Sequence, residues 1–378
     1  HEPVAAEGSG PRWPAAGIAW FVAAVLLAVV VAAGRLEMLL SETLSYDEGR
    51  HYLKAVMAVK AGEPLSTVPT WLYPPAAAHL MAWYSDVAGT HGLFVTLRLL
   101  NAAGMVAVMS CAGASLADVF PRRSEKLVFS PLISVALYWQ FGDWAFQIWS
   151  MGNISGLLFI PMLCALHSRS AILRIVSLAS GFLFKPYALG HALARPWREA
   201  VLPVLFCAAM IAVTHRDPDW VASMIRHPMN MSPWHFLVGV LGLPHWAVFG
   251  AFVLIGATWA RGSAGRALCV GWAILPVAWP HTSVILLLPW AWAMRALLLE
   301  PDRPRPRRGA ALLIASLFLL SSNLNTWAVF QLLDHEIRGR TLLLLQSLLP
   351  TVGATFIALR TEDPAWLFGG TRGGRARR

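Results

Sequence analysis

Hydrophobic residues run along this chain in long uncharged blocks. The first, residues 17–34 (GIAWFVAAVLLAVVVAAG), holds no charge at all, and about 20 apolar residues suffice to cross the hydrocarbon core of a bilayer. Further blocks predict spans near 17–34, 93–117, 127–142, 152–168, 199–213, 244–260, 267–280, 282–298, 310–331 and 341–360. The pattern predicts an all-α, polytopic integral membrane protein of about 10–12 transmembrane or half-membrane helices. Arg12 before the first block suits a signal peptide. Arg35 and Glu37 after it, in place of a clean small-residue cleavage site, together with the spans that follow, favour a retained helix.

Two segments complicate a simple serpentine. Arg174 and Arg195 flank an apolar stretch that would make one crossing, yet the charge pattern places both on the same side. Two short segments broken at Lys185-Pro186 resolve this, because proline removes a backbone donor and kinks a helix. Such breaks are tolerated at membrane depth where they line a cavity. The other segment is the loop at 35–92. Residues 47–61 have helical spacing, with Tyr52, Val56 and Val59 on one side and Lys54 and Lys60 elsewhere, as in a helix lying at the interface. A second short amphipathic helix is expected to start at Pro75 or Ala76, proline being suited to a first turn.

Charge then orients the spans. Of the 30 Lys and Arg, 19 fall in Arg12, the loops at 118–126, 169–174, 195–198, 261–266 and 300–309, and the tail from 360. Eight fall in 35–92, 214–243 and 332–340, and the bias places the first group in the cytoplasm. The organisation expected is a cytoplasmic tail at 1–16, its first ten residues disordered, a membrane domain at 17–360 with outer loops at 35–92 and 214–243, and a basic cytoplasmic tail at 361–378. The charged fraction of 13% is about half the ~25% of soluble domains. The net charge of +10 reflects orientation in a membrane rather than binding of nucleic acid. Cys111, Cys164, Cys207 and Cys269 all lie in apolar blocks without a C-x-x-C pair, and so read as small packers.

Chemistry has few candidates. Asp47 follows the first span at the outer interface, where a carboxylate is either a general base or, with Ser45, a helix cap. Lys185 lies deep in SGFLFKPYALG; its ammonium either snorkels or faces an outer cavity where a phosphate would pair with it. His281 follows a Trp-Pro break in VAWPHTSVILLLP, as a donor to phosphate or sugar or as a solvated turn residue. Tyr73, Asn153, Asn230 and His235 fall on the same face under a topology fixed by basic residues alone. No metal motif occurs: there is no H-E-x-x-H, and no carboxylate cluster beyond Asp47-Glu48.

In order, these segments resemble a known family. Asp47-Glu48 after the first span, Gly62-Glu63-Pro64-Leu65 and Tyr73-Pro74-Pro75 resemble the first outer loop of the glycosyltransferase C superfamily. Met151-Gly152-Asn153, Phe184-Lys185-Pro186-Tyr187, Trp197-Arg198, Asn230-Met231-Ser232 and Trp279-Pro280-His281 resemble, more narrowly, glycosyltransferase family 87, with departures that include Thr282 where a second His is usual. The resemblance covers roughly residues 15–300. It implies a bacterial inner-membrane enzyme with its active site facing outward. A sugar, mannose or arabinofuranose, would pass with inversion from a polyprenyl-phosphate donor to a glycolipid or glycan acceptor, without cofactor or metal. Asp47 would be the base, Lys185 and His281 would bind the donor phosphate, and Glu48, Tyr52, Tyr73, Asn153, Asn230 and His235 would contact substrate. A transporter or lipid flippase is the main alternative reading, and a non-catalytic scaffold subunit a further one.

Overall fold

The computed structural model describes residues 15–68, 71, 73–141, 154–183, 188–213, 230–275, 278, 280–300, 304, 306–317 and 340–363. Among these the chain is helical throughout, with turns and no strand. Two helices are long and apolar enough to cross a bilayer: Gly17–Leu40, within the Ala15–Leu40 helix, and Pro75–Ala117. The other apolar helices tested, among them Ser155–His167, Ala171–Phe182, His245–Ala257 and Ala264–Ile274, are 10–17 residues long. Ser155–His167, His245–Ala257 and Ala264–Ile274 are thus shorter than the crossings the sequence predicts at 152–168, 244–260 and 267–280, whereas Ala171–Phe182 and Leu189–Leu193 are short segments on either side of Lys185-Pro186, as expected. Prolines interrupt or precede several blocks. Pro131, Pro161, Pro203 and Pro350 lie inside helices, and Pro280 opens the short Pro280–Ser283 helix.

In the segment at 35–92 the short helix expected to start at Pro75 is present, and it meets the span after it at a sharp break. The Pro75–Ala117 helix takes proline at its first position and runs on through a kink at Gly89 (φ 74°, ψ 163°), a conformation open to glycine because it has no Cβ. The expected helix over 47–61 is one π-wound turn, Glu48–Tyr52, followed by Leu53–Lys60. Its buried side carries Tyr52, Ala55, Val56 and Ala58, while Lys54 is exposed.

Small residues make the closest helix contacts. The Ala15–Leu40, Pro75–Ala117 and Arg123–Gln140 helices pack together. Their polar ties include Trp20 Nε1 donating to Ser110 Oγ (2.9 Å) and Ser130 Oγ donating to the Ala19 carbonyl (3.1 Å). Gly104 of the second helix meets Gly156 of Ser155–His167 backbone to backbone, and a methyl group at Gly104 would overlap the Gly156 carbonyl. Bulky apolar side chains point outward instead, among them Phe21, Leu132, Trp139, Ile172, Leu202 and Trp246. Gly104→Ala is expected to separate these two helices and destabilise the fold by about 1–3 kcal/mol. A lowered midpoint of thermal unfolding in detergent would register it; an unchanged midpoint would show that the contact gives way freely.

Polar contacts between distant segments sort into two ends of the helix assembly. At one end Arg98 reaches residues 38–48, Tyr52 reaches Ile154, and Asn230 reaches Ala278. At the other, Asp118 pairs with Lys126 and Arg295, Arg174 with Glu199, Arg195 with the Ala165 carbonyl, and Asp363 with the backbone of Ala264. Charge counting assigns these two sets to opposite sides.

Candidate functional site

Asp47 enters through a capped turn. The backbone N–H of Ser45 donates to Glu48 Oε2 (2.9 Å), the return half of a capping box. Asp47 itself makes no capping bond. Its carboxylate is partly exposed (13%), with Oδ1 3.5 Å from Nε2 of His51 one turn on. His51 is a residue that the sequence reading passed over; the i, i+4 spacing from Asp47 is the signal that could have found it.

Glu48 has a different task from the expected contact with substrate. It is 1% exposed and paired with Arg98, which is 7% exposed. Arg98 donates from Nε to Oε1 (2.8 Å) and from Nη2 to Oε2 (2.6 Å). The remaining guanidinium hydrogens go to the carbonyls of Met38 (3.1 Å), Ser41 (2.7 Å) and Thr43 (2.8 Å). All five donors of the guanidinium are thereby used. They fix the end of the first helix and the turn that carries Asp47 onto the Pro75–Ala117 helix.

Behind Asp47 lies an aromatic cluster of Tyr52, Trp71 and Tyr73. The phenols of Tyr52 and Tyr73 are 3.2 Å apart, and the rings of Trp71 and Tyr73 meet edge-on at 5.2 Å between centroids. Tyr52 also accepts from the backbone N–H of Ile154 (3.3 Å). Burial, with Tyr73 and the Asp47 charge nearby, pushes the Tyr52 phenol well above its ordinary value, so it stays protonated as a hydrogen-bonding group. Trp71, which the sequence reading did not single out, is buried, and its indole N–H has no partner among the described residues.

The hydrophobic floor of this cluster continues into a groove of about 520 Å³. Met81, Leu93, Leu97, Leu157 and Leu183 belong to both. The kink at Gly89 folds the two halves of the Pro75–Ala117 helix around one side, and the Ser155–His167 and Ala171–Phe182 helices supply the other. Of the groove's polar groups, the Tyr84 phenol and the Thr96 hydroxyl bond each other at 3.0 Å.

The remaining sequence candidates fare differently. Asn153 and Lys185 lie outside the described residues; the flanking helices end at Phe182 and resume at Leu189. Leu183 packs against the aromatic cluster. His281 lies in the Pro280–Ser283 helix, which packs against Ser155–His167, and its side chain is outside the description. Asn230 is buried and serves as a tie rather than an open substrate contact: its Oδ1 accepts from the N–H groups of Ser232 (3.0 Å) and Ala278 (2.9 Å). This anchors the segment leading to His281. His235 is buried at the start of a π-wound turn, His235–Val240. The structure thus joins Asp47, Tyr52 and Tyr73; Tyr52 bonds Ile154, just before the Ser155–His167 helix, against which the His281 helix also packs. No protein-family model, curated protein or solved structure matches this chain.

Proposed function

We propose that the protein is a multi-pass membrane glycosyltransferase, resembling family 87 of the glycosyltransferase C superfamily. It would move a sugar from a polyprenyl-phosphate carrier to a lipid or glycan acceptor at the outer face of the inner membrane of a bacterium. One observation carries the reading: a partly exposed carboxylate stands over an aromatic cluster whose floor is continuous with an apolar groove of about 520 Å³. That pairing suits a substrate with a polar head and a long apolar tail. Membrane residence is supported by the small-residue helix contacts and the outward bulky side chains. The sorting of polar contacts into two ends agrees with the orientation drawn from basic residues.

In this reading Asp47 takes the proton of an acceptor hydroxyl as that oxygen attacks the anomeric carbon. The bond from that carbon to the phosphate oxygen breaks on the opposite face, giving inversion and a polyprenyl-phosphate anion. Lys185 and His281 are assigned to the developing phosphate charge. Tyr52 and Tyr73 line the floor beneath the sugar, where buried phenols offer hydrogen bonds and ring faces. The test is incubation of the purified protein with several polyprenyl-phosphate sugars and a membrane lipid extract, with products read by mass spectrometry. A new glycosylated product supports the proposal. No product from any donor overturns it: lipid movement across liposomes without a covalent product then favours a flippase, and retained donor binding without turnover a non-catalytic scaffold subunit.

A further inference from the structure

At the end of the assembly away from Tyr52 lies a second cavity, of about 230 Å³, lined by Arg174, His191, Arg195, Glu199 and Ser263 among others. Its lining shares no residue with that of the groove beside the aromatic cluster, although the groove's lining reaches Ser177, one turn from Arg174 on the Ala171–Phe182 helix. Glu199 binds Arg174 through Nε (2.8 Å) and Nη2, and Arg174 Nη1 bonds the carbonyls of Ser168 and Arg169 (both 3.0 Å). Arg195 Nη2 reaches the Ala165 carbonyl and Nε2 of His191, each at 3.0 Å.

The histidine is the informative group. An arginine has no acceptor, so Nε2 of His191 must be the accepting nitrogen and the ring proton sits on Nδ1. Among the described residues that Nδ1 has no hydrogen-bond partner, and His191 is only 2% exposed. A buried donor without an acceptor is costly. His191 is among the residues that line the cavity, with two guanidinium groups and one carboxylate, so the lining favours an added negative oxygen. Beside the cavity, Ile172, Leu173 and Val176 on one helix and Val201, Leu202 and Leu205 on the next turn apolar side chains outward, as acyl chains would require.

We propose that this cavity binds a phosphate group, supplied by the headgroup of an anionic phospholipid, with His191 Nδ1–H and the two arginines as donors. The purified full chain in detergent would be titrated separately with phosphatidylglycerol, phosphatidylcholine and inorganic phosphate, followed by native mass spectrometry and thermal unfolding. Retention of phosphatidylglycerol over phosphatidylcholine, with a raised unfolding midpoint, is expected. Arg195→Gln and, independently, His191→Phe should each weaken retention about ten-fold or more, while Arg122→Gln, on an exposed side chain, should leave it unchanged. Saturation by inorganic phosphate alone, lost in the same two variants, upholds the phosphate site with a soluble occupant. Failure of wild type to retain any of these anions, or equal retention by both variants when folded, overturns it and leaves the cavity to water.

Discussion

Asp47→Asn is expected to lower the rate of sugar transfer by about 100-fold or more, the range in which positioned general bases act, with the unfolding midpoint unchanged. Asparagine keeps the shape of the side chain and its capacity to accept a hydrogen bond but cannot take the acceptor's proton. The fold is expected to tolerate the change, since the turn is held by Glu48 and Arg98. The measurement is turnover of the donor found active in the product screen, beside thermal unfolding of both proteins. Near-normal turnover would remove Asp47 from the role of base while leaving the transferase reading open to another carboxylate.

The largest effect on stability is expected at Arg98. Arg98→Ala deletes five hydrogen bonds and strands the buried Glu48 carboxylate. Breaking a buried ion pair from one side costs about 3–5 kcal/mol. Lysine is no substitute, since an ammonium cannot reproduce the planar fork that meets a carboxylate and three carbonyls together. The double variant Glu48→Gln, Arg98→Met should recover part of the loss, because it leaves no unpaired charge. Unfolding midpoints at a matched scan rate decide this. If the single variant unfolds with wild type, the pair does not hold the loop.

The sequence carried the helical class and the placing of several helices within a few residues. Arg123–Gln140 against a predicted 127–142 and Trp197–Val213 against 199–213 are examples. These follow from local composition, which one segment reveals by itself. The helix start at Pro75 was legible too, since proline suits a first turn, but the kink at Gly89 was harder, because a positive φ at glycine acquires meaning only from what packs beside it. The candidate site was legible where a residue's role is local, as with the polar tip of Asp47 after an apolar run. It was not legible where the partner is remote. Glu48 looked like a substrate ligand because Arg98 is 50 residues away, and Asn230 looked open because its tie to Ala278 spans 48 residues. Gly104 and Gly156 gave no signal alone; their meaning lies in the contact between them.

The reach of Arg98 bears on the order in which the protein takes shape. A chain emerges from the ribosome at roughly 5–20 residues per second, so the 50 residues between Glu48 and Arg98 take about 2.5–10 s to make. During that interval the first helix can already occupy its place, but the turn after it has no guanidinium to close upon. The segment carrying Asp47 is therefore made well before the residue that fixes it. Any chaperone or protease within reach meets it before its lock arrives.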